Sequence, residues 1–303
     1  MHAFSPLLRY FEEVAVQGSV RRAAERLHIA PSAVTRQVKS FEDLLGVPLF
    51  ERLPRGVRLT SAGELMLASV RRLQREFDAT LSQVDALKGL RRGKVRIGVL
   101  QTLSERFVPE LVADVHQAYP GISFTVHAGN SDDIADRIAV GELDIGLCWT
   151  PPPTAPLRQV RSTPVSIGLV VPVDHPWAKR RSVRFRECVG QPLILPTVEM
   201  ELRRMLDKLQ GGAIARLEPF VETNSISTQR QLVLAGSGVA VMTRISVLHE
   251  IREGKVAHIP LSDKGIKAMQ FSLLVREERS LPIAAALLLE RLDKGFKGYA
   301  GPA

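Results

Sequence analysis

Ser32, Thr35, Arg36 and Lys39 lie opposite the apolar series Val34, Val38, Phe41 and Leu45 if residues 31–45 are helical. At 3.6 residues per turn, that pattern buries one side and turns two hydroxyls, a guanidinium and an ammonium outward. Those groups suit the major groove of DNA, where Arg bonds guanine in bidentate fashion and Ser or Thr reaches base edges or phosphates. Taken alone, an ordinary amphipathic surface helix would look the same. The segment VPLFERLPRGVRLTSAG, after the stop at Gly46, separates the two readings. Its two short apolar runs flank the turn signal Pro54-Arg55-Gly56, which predicts a two-stranded wing. Arg52, Arg55 and Arg58 alternate there with apolar residues, as they would if one face packed on the helices and the other met phosphates or a minor groove.

The elements that must position these groups are short. Phe4, Leu7, Leu8, Phe11, Val14 and Ala15 follow helical spacing, Gly18 stops that helix, and Ser19 is placed to cap the next, Val20–Leu27. Its Ala23 and Ala24 let a neighbouring helix approach closely. A break at His28-Ile29-Ala30 leads to Pro31, suited to a first helical turn because its missing N–H would be unpaired there anyway. Ala30 is a poor N-cap and leaves the first-turn amides free for a phosphate. Downstream, Met66, Val70, Leu73, Phe77, Leu81, Val84 and Leu87 step by three or four, and no Gly or Pro interrupts Glu64–Lys88. A long helix with such a stripe needs a partner for it, either its own chain or a second copy. The stripe ends at the basic hinge Gly89-Leu90-Arg91-Arg92-Gly93.

The chain has 303 residues, enough for about two domains. It carries 41 Lys+Arg against 32 Asp+Glu, and residues 1–93 alone carry 15 against 10. That excess favours a polyanionic partner without proving one, since a solvated surface has the same composition. Two cysteines, Cys148 and Cys188, exclude a disulfide framework and have no metal-ligand spacing to any histidine. No lysine or arginine adjoins Cys148 to lower its pKa, so a buried apolar residue is expected and not a thiol switch. Glu12 and Glu13 interrupt what would be a signal peptide, and no run of apolar residues is long enough to span a membrane. The expected location is the cytoplasm, with no membrane partner.

From Lys94 the texture becomes VRIGVL, a helix over Glu105–Ala118, ISFTVHA, a helix over Asp132–Val140, and LDIGLCW. That alternation predicts a parallel sheet with crossovers. It repeats in VSIGLVV, PLILP, LEPFVET and GVAVM, and closes with MQFSLLV and a helix over Pro282–Lys294. In open α/β sheets ligands bind beyond the carboxyl ends of strands. Here those places hold Gln101, Thr102, Asn130, Ser131, Trp149 and Thr150, then Pro196, Thr197, Thr223 and Asn224. Helix capping explains such residues singly. As a set they suit a small polar or carboxylate-bearing molecule, with Trp149 as an apolar wall.

No nucleophile–base pair, metal constellation or phosphate loop is found. Gly236-Ser237-Gly238 precedes an apolar strand and reads as a helix end and turn. No catalytic residue, metal site or cofactor is expected.

The stretch from Ser19 to Gly63, SVRRAAERLHIAPSAVTRQVKSFEDLLGVPLFERLPRGVRLTSAG, resembles the winged helix-turn-helix of LysR-type transcriptional regulators, and the order of later elements agrees. Pro31 stands where that family often has a Gln able to touch a base, Thr35 for the usual Ser, and Phe41 for the usual Leu. The resemblance implies an α/β chain in three parts: a winged helix-turn-helix in 1–60, a linker helix and hinge in 61–93, and in 94–303 a two-lobed effector domain like a periplasmic binding protein. It implies that the last strand and helix return to the first lobe. It also implies that Met66, Val70, Leu73, Phe77, Leu81 and Val84 pair subunits in a dimer, and that dimers assemble as tetramers. Implied partners are double-stranded promoter or operator DNA, a small-molecule effector and RNA polymerase. Two other readings are a cytoplasmic solute-binding protein with a basic dimerisation module and a nucleoid protein without sequence preference. The first has no use for a donor-lined helix and an arginine wing, and the second leaves the cleft unexplained.

Overall fold

The computed structural model describes residues 5–87, 92–150, 156–188, 190–209, 219–277 and 281–296. The chain falls into two compact units, Met1–Gly93 with Val140–Glu142, and Lys94–Ala139 with Leu143–Ala303.

The first unit begins with helices α1 (Pro6–Gln17), α2 (Val20–Leu27) and α3 (Pro31–Leu45). Gly18 ends α1 with φ near 59°, and Ser19 Oγ accepts the Arg22 N–H to start α2. Ala30 makes no side-chain cap at α3, where Pro31 occupies the first turn. Phe11, Val14, Ala23, Ala24, Val34 and Val38 are buried, and the Phe11 and Phe41 rings meet edge-on at 5.5 Å. Leu45, expected on the inward stripe, is exposed because α3 extends past the core at that end. Phe4 lies outside the described residues.

Strands β1 (Phe50–Leu53) and β2 (Gly56–Leu59) pair antiparallel across Pro54-Arg55. Gly56 takes a φ of 114°, a conformation that L side chains rarely adopt, and the next N–H, of Val57, donates to Gly18 O at 2.9 Å. This locks the wing onto the α1–α2 turn. A 27-residue helix, α4 (Ser61–Leu87), follows and is about 40 Å long. The expected hinge lies outside the described residues over 88–91.

Among the described residues, the second unit holds two five-stranded sheets. One is ordered β4 (Ile122–Gly129), β3 (Gly93–Leu100), β5 (Ile145–Trp149), β12 (Met269–Arg276), β6 (Leu157–Val165). The other is ordered β11 (Val256–Pro260), β7 (Ile167–Pro172), β10 (Val239–Thr243), β8 (Leu193–Leu195), β9 (Val221–Glu222). The chain passes from the first lobe to the second at Ser166 and returns before β12, as expected from the resemblance. The expected parallel pairing is present, β3 with β5 and β8 with β9 and β10, within sheets that are mixed. β12 runs antiparallel to β5 and β6, and β7 antiparallel to β10 and β11. Each reversal is made where the chain changes lobe, since a strand arriving from the other lobe need not follow a crossover helix.

In the first lobe α5 (Gln101–Ser104), α6 (Phe107–Ala118), α7 (Ser131–Ala139) and α11 (Ile283–Gly295) cover the sheet. Helix α7 packs so closely that a Cβ on Gly146 would clash with Ile138 and Ile134. In the second lobe α8 (Glu201–Leu209), α9 (Ile226–Leu234) and α10 (Leu248–Arg252) join a 3-10 turn at Arg244–Val247. Val170, Ala240, Met242 and Val233 form a core on one face of that sheet, and Leu169, Val171, Leu195 and Val241 form one on the other.

Candidate functional sites

On α3 the side chains of Ser32, Thr35, Arg36 and Lys39 are all exposed, opposite buried Val34 and Val38. Arg36 and Lys39 make no ion pair among the described residues, so both charges are available to a polyanion. Thr35 differs from expectation, because its hydroxyl donates to Pro31 O at 3.0 Å. With its proton so used, Thr35 can only accept, which fits an adenine or cytosine amino group or a thymine methyl contact.

The wing arginines do not share one face. Arg52 stands opposite Val57 in the ladder, on the side of Phe50 and Leu59, and lines a groove with Thr35 and Lys39. Arg58 stands opposite Glu51 on the other side and binds it at 2.8 Å, which raises the guanidinium pKa further. Arg55 is exposed in the turn. Strand alternation puts Arg52 and Arg58 on opposite faces because cross-strand partners, and not sequence neighbours, share a side. The wing is held to α3 by Glu42, whose Oε1 accepts the N–H groups of Leu49 at 2.8 Å and Phe50 at 3.1 Å. Glu42 was not singled out from sequence, where it reads as one more surface acid.

The stripe of α4 divides into two parts. Val70 is 1% exposed and packs with Phe11, Phe41 and Leu49, and Met66 is packed beside it. Val70 belongs to the core of its own unit, and Met66 is half-buried against it. Leu73, Phe77, Leu81 and Val84 remain 39–48% exposed along one side of the helix.

A cavity of about 490 Å³ opens between the lobes of the second unit. Of the residues expected there, Gln101, Thr102, Asn130, Ser131, Trp149, Pro196 and Asn224 line it. Thr150, Thr197 and Thr223 do not. The Thr150 hydroxyl is engaged with Ser272 and with Gln270 O, and Thr223 Oγ1 accepts the Ser225 N–H at 3.1 Å. Thr197 serves the turn into α8, its carbonyl accepting the Met200 N–H. Two of the lining residues also have local work: Asn130 Oδ1 accepts the Asp133 N–H at 2.8 Å, and Ser131 Oγ accepts the Trp149 N–H at 3.1 Å. Thr102 Oγ1 is buried with no hydrogen-bond partner among the described residues.

The chain matches the model of the bacterial regulatory helix-turn-helix protein, lysR family, over residues 6–64, and that of the LysR substrate binding domain over 88–297. The chain belongs to the LysR family. Its members are DNA-binding transcriptional regulators with an effector domain, and they are not enzymes. Among curated relatives, this LysR-family chain is 30% identical over 249 residues to the HTH-type regulator YybE of Bacillus subtilis, covering 82% of this chain and 85% of that protein. It is also 30% identical over 295 residues to CbbR of Xanthobacter flavus, covering 95% and 88%. Among solved structures it superposes on full-length OxyR from Pseudomonas aeruginosa with a TM-score of 0.61 at 22% identity, covering 98% of this chain and 96% of that one. It superposes equally well on full-length CbnR in complex with its target DNA, at 21% identity, covering 95% and 98%.

Several features of this LysR-family cleft escaped the sequence reading. Asp132, Glu199, Met200, Glu201, Arg204 and Gln229 line it, as do Met242, Thr243, Ser246 and Met269. Asp132 directly follows Ser131, and Met200 and Glu201 lie just beyond Thr197 in the same strand-end loop and helix start. Thr243 and Ser246 bond each other at 2.8 Å. Behind the cleft, buried Arg230 on α9 binds Glu105 of the other lobe, lies 3.5 Å from Glu250 and donates to Ser246 O at 3.4 Å. Cys148 and Cys188 are both buried, and burial pushes each thiol up to about 12, against any thiolate chemistry. Among the described residues no helix is long and apolar enough to cross a membrane.

Proposed function

We propose that the chain binds operator DNA as a cytoplasmic dimer, with α3 in the major groove and the wing on the adjoining backbone, and that a small molecule in the inter-lobe cleft modulates this. Ser32, Thr35, Arg36 and Lys39 act on the groove, with Arg36 as the principal base reader. Arg52 and Arg55 act on phosphates or the minor groove, and Arg58 joins them by releasing Glu51. The observation that carries the reading is the unpaired Arg36 and Lys39 on the exposed face of a helix whose opposite face is buried. Leu73, Phe77, Leu81 and Val84 supply the dimer seam, leaving two heads to address a two-fold operator. Assembly into tetramers and contact with RNA polymerase complete the scheme. The effector bridges the lobes through Gln101, Thr102, Asn130, Ser131 and Trp149 on one side and Pro196 and Asn224 on the other.

A gel shift on DNA upstream of the protein's own gene tests the reader. Arg36→Ala should weaken binding there by about 1–3 kcal/mol and leave random DNA less affected. Unchanged affinity for both would remove α3 from base recognition.

A further inference from the structure

We propose that the ligand of the inter-lobe cleft is an organic cation, an amine on an apolar or aromatic body, held between Asp132 of one lobe and Glu201 of the other. This rests on the cleft being the effector site. The first observation is one of charge: a chain of net charge +9 lines this cavity with three carboxylates, Asp132, Glu199 and Glu201, against the single guanidinium of Arg204.

The second concerns partners. On the same two helices Asp133 is ion-paired with His127 and Arg137, and Asp207 with Arg203, while Asp136 of α7 makes no ion pair among the described residues. Asp132 and Glu201 have no ion pair among the described residues. Each stands in the first turn of its helix, α7 or α8, where the helix dipole favours an acid. That accounts for each carboxylate separately and gives no reason for two to share one cavity from opposite lobes. Desolvation by the cleft walls raises the Glu201 carboxyl above its ordinary value, with Arg204 pulling it down and Asp132 adding to the rise.

The same acids bear on the expected carboxylate-bearing effector. Both helix starts that could hold an anion are already compensated by their own side chains, and at α7 Asn130 Oδ1 has taken the Asp133 N–H. The polar half of that expectation suits the cavity better than the anionic half. Beside its polar groups the wall carries the polarisable side chains of Trp149, Met200, Met242 and Met269, which fit a hydrocarbon or aromatic body. Thr102 of the same wall keeps a hydroxyl that is buried and has no hydrogen-bond partner among the described residues. No group of three His, Cys, Asp or Glu among the described residues could hold a metal ion, which favours an organic cation. Such a ligand replaces repulsion across the cleft by two attractions, and so favours the arrangement in which the lobes approach.

The test uses the full chain carrying Trp177→Phe, which leaves Trp149 as its only tryptophan. Its emission is titrated with phenethylamine, tyramine, agmatine and spermidine, and with 3-phenylpropionate as the anionic counterpart of phenethylamine. Saturable change is expected with at least one amine and not with the acid. The isosteric Asp132→Asn and Glu201→Gln, with thermal midpoints checked for folding, should each weaken that amine at least tenfold. Footprinting on operator DNA should then shift with the amine. If the acid binds and no amine does, the charge assignment is overturned while the cleft stands as the effector site. Failure of every amine also overturns the proposal. An amine that perturbs Trp149, depends on both carboxylates and leaves the footprint unaltered would overturn the effector reading on which the proposal rests.

Discussion

His258 on β11 gives the second lobe a defined sensitivity to acid. Its ring lies against Gly168, with Nε2 3.3 Å from Met242 O and Nδ1 buried without a partner among the described residues. Burial, with the nearby Arg244 cation adding to it, lowers the imidazole from its ordinary 6.5 to about 4, the Met242 carbonyl opposing only weakly. The neutral ring is therefore the folded form, and the unfolded chain takes up the proton first. His258 contributes its full stability above pH 6.5, loses it as pH falls through the interval, and has lost all of it below about pH 4. The span is worth about 3 kcal/mol at 1.36 kcal/mol per pH unit, of which about 2 kcal/mol is gone by about pH 5. Other groups titrate over the same range, so the quantity to read is a difference between proteins. Urea unfolding, followed through Trp177 in the same lobe, is compared at about pH 7.5 and about pH 5 for the wild type and His258→Gln. The wild type should lose about 2 kcal/mol more than the variant on acidification. Parallel losses would show that the imidazole is not held neutral, and the reasoning from burial would fail.

Arg230→Met should destabilise by about 3–5 kcal/mol because it leaves Glu250, 5% exposed, without its cation. Adding Glu250→Gln should recover much of that loss in the same denaturation assay, and no recovery would mean that the charge was not the cause. Leu73→Glu with Leu81→Glu should yield monomers in sedimentation and poor operator binding, whereas an unchanged assembly would place the seam elsewhere. Arg55→Ala should lower the slope of log affinity against log salt by roughly 0.9, as expected for one lost phosphate contact. Arg58→Ala should lower it less, since Arg58 must first give up Glu51; equal slopes for the two variants would refute that distinction.

Local pattern made much of this legible in sequence. Ser19, Gly18 and Pro31 punctuate the first three helices because capping and backbone freedom act within a few residues, and the wing followed from Pro54-Arg55-Gly56 for the same reason. Seven of ten expected cleft residues line the cavity because strand ends and helix starts set where loops converge.

Tertiary structure decided the rest. Strand β6 carries exposed polar positions and β11 is a five-residue strand interrupted by His258, so neither gave an apolar run to notice, and their antiparallel partners lie far off in sequence. Val70 and Leu73 look alike on the α4 stripe, yet Val70 packs against Phe11 and Phe41 while Leu73 is left in solvent. Arg52 and Arg58 seemed to share a face until the ladder set Arg58 against Glu51. Asp132 and Glu201 each stand in the first turn of a helix, and only the return of the chain between lobes brings the two to one cavity. Helices and turns depend on short-range steric and hydrogen-bonding preferences, which a sequence displays. Strand partners, a buried Glu250 beside Arg230, and opposed carboxylates depend on contacts between residues remote in the chain, which folding alone brings together.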